Sequence, residues 1–367
     1  MNMEEKKRLA IACQGGGSQT AFTAGVLRKL LEQGVHEKYK IVGLSGTSGG
    51  AICALLAWYG LLKAAKGSPE PVFKGIIEFW KDNSAKLPWE RFLNDSSIKN
   101  TQMLEQGKLP YYETSPYDWR WQWTQKFLSS QAPRKEFLDL RKLLEKHVNF
   151  SSIGNLLEPS SPRLLMGAVN VLSGEFRTFD SKQDQISVDA VLASAAVPTL
   201  FEAVEVDGNF YWDGLFAENP PLIKLQQTIP DELWIIGINP IERKSVPKTP
   251  QCILDRRNEL AGNIMLSIEL RFFELYNQLL ERGALKEEFL ASVPLTPTKL
   301  RLLNMSEPLA ESLDYSSKLN RNPSFIDHLL NDGETQAERF WQNPDDEQYA
   351  IPEVWHTGEQ LFENLSS

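Results

Sequence analysis

Ser48 stands in Gly46-Thr47-Ser48-Gly49-Gly50, a serine enclosed by small residues. A serine hydroxyl attacks a carbonyl only with help. It needs a sharp turn that presents it, a base within hydrogen-bond reach, and donors aimed where negative charge develops. The first need is met locally. Tyr39 to Ser45 is apolar and β-branched and reads as a strand. Ala51 to Trp58 reads as a helix. A serine at the apex of strand, tight turn and helix is a nucleophile elbow. Gly46, Gly49 and Gly50 carry no Cβ, which lets neighbouring backbone and substrate approach Ser48. The N-terminus of the following helix directs partly positive N–H groups at the hydroxyl.

The base is not an obvious histidine. The four histidines are His36, His147, His328 and His356, and none follows a strand into a small-residue loop. A partly desolvated carboxylate can serve instead, because burial raises its pKa. Asp213 is the best placed. It ends the apolar run Phe210-Tyr211-Trp212 and precedes Gly214, where the chain can turn. Tyr211, Trp212, Leu215 and Phe216 would limit water around it.

The third need points to Gly15-Gly16-Gly17, between a first strand (Arg8 to Cys13) and a helix (Ala21 to Gln33). Backbone N–H groups there would form an oxyanion hole. Two rival readings fail. A dinucleotide fingerprint would need glycine where Thr20 stands and an acid after the second strand. A phosphate loop would need Gly-Lys-Ser/Thr.

These groups must be held by a scaffold. Strand, glycine loop, helix, strand and elbow in the first fifty residues make a βαβ beginning and imply a parallel sheet. Arg163 to Asn170 and Glu175 to Phe179 read as a hairpin across Ser173-Gly174. Val204 to Val206 and Asn209 to Trp212 read as another across Asp207-Gly208. Ser187 to Ala195 is a short helix and Leu233 to Ile238 a buried strand. Phe137 to His147 reads as one amphipathic helix. Residues 94 to 135 read as an irregular, Trp-rich insertion. In it Trp119, Trp121 and Trp123 would share one face of an extended segment, a surface suited to a lipid boundary. Asp255 to Leu290 is strongly helical, with Leu260, Ile264, Ile268, Phe272, Leu275, Leu279 and Leu280 on one broad face.

Composition limits the function classes. Hydrophobic residues make up 42% and charged residues 24% of the 367, which calls for a packed core. A net charge of −9 argues against a nucleic-acid partner. The three cysteines are too few and too widely spaced for a disulfide framework or a zinc site, and fit a reducing compartment. No run has the length of a signal peptide or a membrane span, so a cytoplasmic protein is expected, with at most peripheral membrane contact.

The ordered set Gln14-Gly15-Gly16-Gly17-Ser18, Gly46-Thr47-Ser48-Gly49-Gly50, Ala193-Ser194-Ala195-Ala196-Val197-Pro198, and Asp213-Gly214 with Asn219-Pro220-Pro221 resembles the patatin-like phospholipases across residues 8 to 240. The resemblance implies a three-layer α/β/α fold with a mostly parallel sheet and a Ser48-Asp213 dyad. It also implies the Gly15 to Gly17 loop as oxyanion hole and hydrolysis of phospholipid or lysophospholipid esters without metal or cofactor. Gly214, Asn219 and Pro198 support the motifs. The expected partners are lipid substrate and a membrane surface, with the oligomeric state left open. The same residues would serve an acyltransferase, or persist in an inactive lipid-binding protein. Residues 1–240 are expected to form the catalytic domain and 241–367 a mainly helical extension packed on it. Two positions depart from the family. Gln19 and Thr20 stand where a basic residue and a glycine are usual, which would alter how an anionic headgroup or oxyanion is met.

Overall fold

A computed structural model describes residues 6–110, 115–198, 200–293 and 295–355. Its centre is an eight-stranded sheet. The strands are β1 (Arg8–Cys13), β2 (Lys40–Thr47), β3 (Arg163–Asn170), β4 (Phe176–Asp180), β5 (Val204–Val206), β6 (Asn209–Asp213), β7 (Glu232–Ile236) and β8 (Lys299–Leu303). Their order is β5-β6-β3-β2-β1-β7-β8, with β4 also on β3. The run from β8 to β3 is parallel, and β4, β5 and β6 join antiparallel.

The helices that bear on the site are α1 (Ala21–Glu32), α2 (Gly49–Ala65), α3 (Trp119–Gln131), α4 (Val188–Ser194), α5 (Pro250–Glu281), α6 (Tyr315–Leu319) and α7 (Pro323–Gln342). Side chains alternate across the strands and build a core on each face. Leu9, Ile11 and Cys13 join α1, α2 and α7 on one side. Ala10 and Ala12 join Leu266, Leu270 and Phe273 of α5 on the other. This is the expected three-layer α/β/α arrangement. Residues beyond 240 also take part in the sheet itself, since β8 extends it parallel to β7.

Several elements differ from the sequence reading. The Trp-rich stretch is helical. Asp118 caps α3 by accepting from the Arg120 N–H at 2.8 Å, and neither glycine nor proline interrupts it. The extended segment expected for the three tryptophans is therefore not formed. The stripe that does form joins Trp119, Trp123 and Phe127, all exposed, with the last two rings stacked at 5.6 Å. Phe137 to His147 breaks at the extended Asp139, whose carboxylate caps Leu140–His147. The long C-terminal helix ends at Glu281 because Gly283 turns left-handed at φ 62°. His356 lies outside the described residues.

The broad apolar face read from α5 does not pack on the sheet. Leu260, Ile264, Ile268 and Phe272 are exposed, while Asp255, Glu259, Asn263 and Glu269 are buried. The inward side of the helix is mixed: Leu266, Leu270 and Phe273 pack on the sheet, while its buried polar residues meet loops at the strand ends. Among the described residues, no helix is long and apolar enough to cross a membrane.

Helix α7 crosses α1 at bare backbone. A Cβ on Gly25 would lie 2.1 Å from the Leu330 carbonyl oxygen, and one on Gly333 2.2 Å from that of Phe22. Both groups are backbone and cannot move aside. Gly25→Ala is therefore expected to destabilise the fold by about 1–3 kcal/mol. Chemical denaturation of wild type and variant measures this, and equal midpoints would refute it.

Candidate active site

The site forms where two strands meet head-on along one edge of β3. β2 pairs with that edge up to Thr47, which lies opposite Gly167. There the chain leaves for the elbow, and β6 arrives from the other direction. Its last residue, Asp213, lies opposite Ala168. Adjacent positions on β3 thus bring the end of β2 to the end of β6. The crossing is tight, since a Cβ on Gly214 would sit 2.7 Å from the Gly167 carbonyl.

Ser48 has φ 57° and ψ −131°, a backbone conformation that a β-carbon disfavours, and it precedes the first turn of α2. The surroundings hold it there. Its N–H donates to the Ser194 carbonyl at 3.0 Å and to Ser194 Oγ at 3.2 Å. Ser194 Oγ in turn donates to the Gly167 carbonyl at 2.7 Å. The Thr47 hydroxyl donates to the Glu218 carbonyl. The flanking glycines are needed for space. A Cβ on Gly49 would meet Thr20 Oγ1 at 2.2 Å, one on Gly50 the Cys13 carbonyl at 2.3 Å, and one on Gly46 the Gly50 backbone at 2.5 Å. Ser194 stands within the Ala193-to-Pro198 motif, but its role in holding the elbow is not legible from the sequence alone.

Asp213 is wholly buried. Its backbone N–H donates to the Ala196 carbonyl at 2.9 Å, so the turn containing Pro198 fixes its main chain. Oδ1 accepts from the Leu215 N–H at 2.9 Å, while Oδ2 is buried without a hydrogen bond of ordinary geometry. Burial pushes the carboxyl up to about 7, against the opposing pull of the Ser48 hydroxyl and the Leu215 N–H. No hydrogen bond joins His36, His147 or His328 to Ser48 or Asp213. His147 lies 3.2 Å from Asp82 instead.

The glycine loop reaches the elbow from the end of β1. A Cβ on Gly15 would lie 2.6 Å from the Thr47 carbonyl and 2.9 Å from Ser48 Cβ. The Gly15 N–H donates to Asn219 Oδ1 at 2.7 Å, which helps shape the loop. The Gly16 and Gly17 N–H groups donate to nothing among the described residues. The two departures from the family also find their reasons. Gln19 is buried and donates to Ser317 Oγ of α6 at 2.8 Å. The Thr20 hydroxyl donates to the Gly17 carbonyl at 2.6 Å.

The inward polar side of α5 completes the support. Asn263 accepts from Gln14 Nε2 at 3.1 Å, and Gln14 Oε1 accepts from the N–H groups of Ile238 and Asn239, both at 2.8 Å. Glu269 accepts from the Leu222 N–H at 3.0 Å and steadies the segment after Asn219. Burial, then the nearby Glu218, pushes the Glu269 carboxyl up to about 8. Among the described residues, no cluster of three or more His, Cys, Asp or Glu could hold a metal ion.

The elbow serine and the buried carboxylate lie together at the carboxyl ends of a mostly parallel sheet in an α/β protein. The model of the patatin-like phospholipases matches residues 11–225, and the chain belongs to that family of lipid hydrolases. No curated protein sequence matches the chain. Among solved structures it is similar to VipD from Legionella pneumophila at 16% identity, covering 92% of this chain and 67% of that one, with a TM-score of 0.40. It is also similar to the type III effector protein ExoU at 14% identity, covering 91% of this chain and 52% of that one, with a TM-score of 0.29. ExoU in its heterodimeric complex with SpcU from Pseudomonas aeruginosa matches at 20% identity, over 53% of this chain and 36% of that one, with a TM-score of 0.23.

The raised Asp213 carboxyl carries a stability consequence. Its value lies above the ordinary 3.8, so the folded state holds this proton more tightly than the unfolded chain does. Stability from this group is complete below about pH 4 and is lost as pH rises toward about 7. Asp213→Asn has no such loss. Its melting temperature relative to wild type should rise across that window, and thermal melts from pH 4 to pH 8 test it. A difference that does not change with pH would refute it.

Proposed function

We propose that the protein is a serine lipid acyl hydrolase that cleaves carboxylic esters of phospholipids or lysophospholipids. The observation that carries this reading is a fully buried carboxylate with one open oxygen beside a serine held at positive φ. In the first step ionised Asp213 takes the proton of Ser48 Oγ as Oγ attacks the ester carbonyl. The tetrahedral oxyanion is met by the N–H groups of Gly16 and Gly17 and by the start of α2 at Gly49. The carbon–oxygen bond to the leaving alcohol then breaks, and protonated Asp213 returns its proton to that oxygen. Water attacks the acyl-serine with Asp213 again as base. The fatty acid leaves and Ser48 is restored.

Burial serves this chemistry directly. A carboxylate at an ordinary pKa is too weak a base for a serine hydroxyl, and one poised near neutrality is better matched. Ser48→Ala and Asp213→Asn are each expected to lower kcat by roughly 10³-fold or more while the fold is retained. Hydrolysis of a phospholipid and lysophospholipid panel, with folding checked by melting temperature, tests this. Activity near wild type in either variant would overturn the dyad.

The base form of Asp213 is the active one, so kcat/KM on a soluble ester should fall as pH drops below about 7, by tenfold per unit. A profile flat from pH 5 to pH 8 would remove Asp213 from this role.

A further inference from the structure

Thr20 carries a hydroxyl where glycine is usual in the family, and it is wholly buried. It stands at the N-cap of α1. A threonine there ordinarily accepts a hydrogen bond from an N–H of the first turn and so steadies the helix. Thr20 makes no such bond. Its hydroxyl turns back and donates to the Gly17 carbonyl at 2.6 Å. The group serves the glycine loop rather than the helix, through a tie that glycine could not make.

The tie bears on where an N–H points. The Gly16 carbonyl accepts from the Gln19 N–H at 3.2 Å. In a trans peptide the carbonyl and the following N–H point opposite ways, so the Gly17 N–H is turned out of that helical turn. The Gly17 carbonyl, one peptide later, is drawn into the same turn by Thr20. Gly17 has φ 58°, and a glycine moves readily between such conformations unless something holds it. The same hydroxyl also reaches the elbow. A Cβ on Gly49 would lie 2.2 Å from Thr20 Oγ1 and 2.9 Å from the Gly17 carbonyl oxygen. One turn further along α2, Cys53 Sγ donates to the Thr20 carbonyl at 3.4 Å. Thr20 thus touches both sources of donors, the loop and the start of α2.

We infer that Thr20 is a positioning residue of the oxyanion hole, whose hydroxyl keeps the Gly17 N–H of the loop and the Gly49 N–H of the elbow in one alignment; this rests on the hydrolase reading above. Donors set in place beforehand need no reorganisation when charge develops on the carbonyl oxygen. Without the hydroxyl the loop loses this tie. Substrate binds as before, and the transition state is met less well.

The test compares the full-length wild type with Thr20→Val, which removes the hydroxyl, and Thr20→Ser, which keeps it. On a soluble ester, kcat of Thr20→Val should fall about tenfold, short of the roughly 10²–10³-fold that losing a donor itself costs. KM should stay within about twofold, because the lost contact acts in the transition state alone. The acid limb of kcat/KM, set by Asp213, should not move. Thr20→Ser should restore most of the loss. If Thr20→Val melts well below wild type, Thr20→Ala set against Thr20→Ser decides, since the two differ by the hydroxyl alone. Equal kcat with and without the hydroxyl would overturn the proposal. So would a loss that appears in KM, or a shifted acid limb, which would assign the effect to substrate binding or to Asp213. Labelling by a fluorophosphonate separates this inference from the hydrolase reading. Ser48 Oγ bonds to phosphorus as fluoride leaves, Asp213 takes the hydroxyl proton, and the phosphoryl oxygen occupies the place of the oxyanion. Labelling slowed in Thr20→Val but not in Thr20→Ser, in a protein that cleaves no ester, upholds Thr20 and sinks the hydrolase reading. Ester cleavage indifferent to the hydroxyl sinks Thr20 alone. A wild type that neither cleaves esters nor is labelled overturns both.

Discussion

The site depends on a single edge of β3. β2 occupies it up to Gly167, and β6 takes it over at Ala168. Parallel and antiparallel neighbours cannot both continue along the same row of hydrogen bonds, so one must stop where the other starts. The stop is the elbow and the start is the carboxylate. Chain ends that lie far apart in sequence are fixed relative to each other by the backbone of a third strand. The serine needs no flexible side chain to find its partner, and the separation cannot drift without unzipping the sheet.

That arrangement has an energetic tension within it. Asp213 is buried where ionisation is disfavoured, and Ser48 is held in a conformation that its own β-carbon opposes. Both are tolerated because stronger features surround them. The Ser194 and Gly167 hydrogen bonds, the packed glycines and two hydrophobic cores outweigh the local penalty.

Much of this was legible in the chain. The strands alternate with turns at Gly174 and Gly208 in a spacing that allows few foldings, and the elbow, the glycine loop and Asp213 follow from residue type and order. What escaped the sequence were matters of partnership. Asn219, over two hundred residues later, holds the Gly15 N–H. Gln19 looks like a lost charge until it is found buried against Ser317. The periodicity of α5 shows an apolar stripe but is silent on which side of the helix packs. Three tryptophans at spacing two suggested an extended segment. Asp118, a good helix cap standing just before them, was the contrary signal.

The glycine loop is formed near the start of the chain but held from its far end. Gln14 rests on Asn263, Gln19 on Ser317, and a Cβ on Gly17 would press the Lys318 carbonyl at 2.5 Å. During synthesis the elbow, the carboxylate and the loop therefore all emerge well before the residues that fix the loop in place. A nascent chain has its reactive groups but not their final alignment until residue 318 or so has left the ribosome. Maturation is thereby tied to synthesis of the stretch from Asn263 to Lys318, and a fragment ending near residue 240 keeps every recognisable motif while lacking the clamp that shapes them.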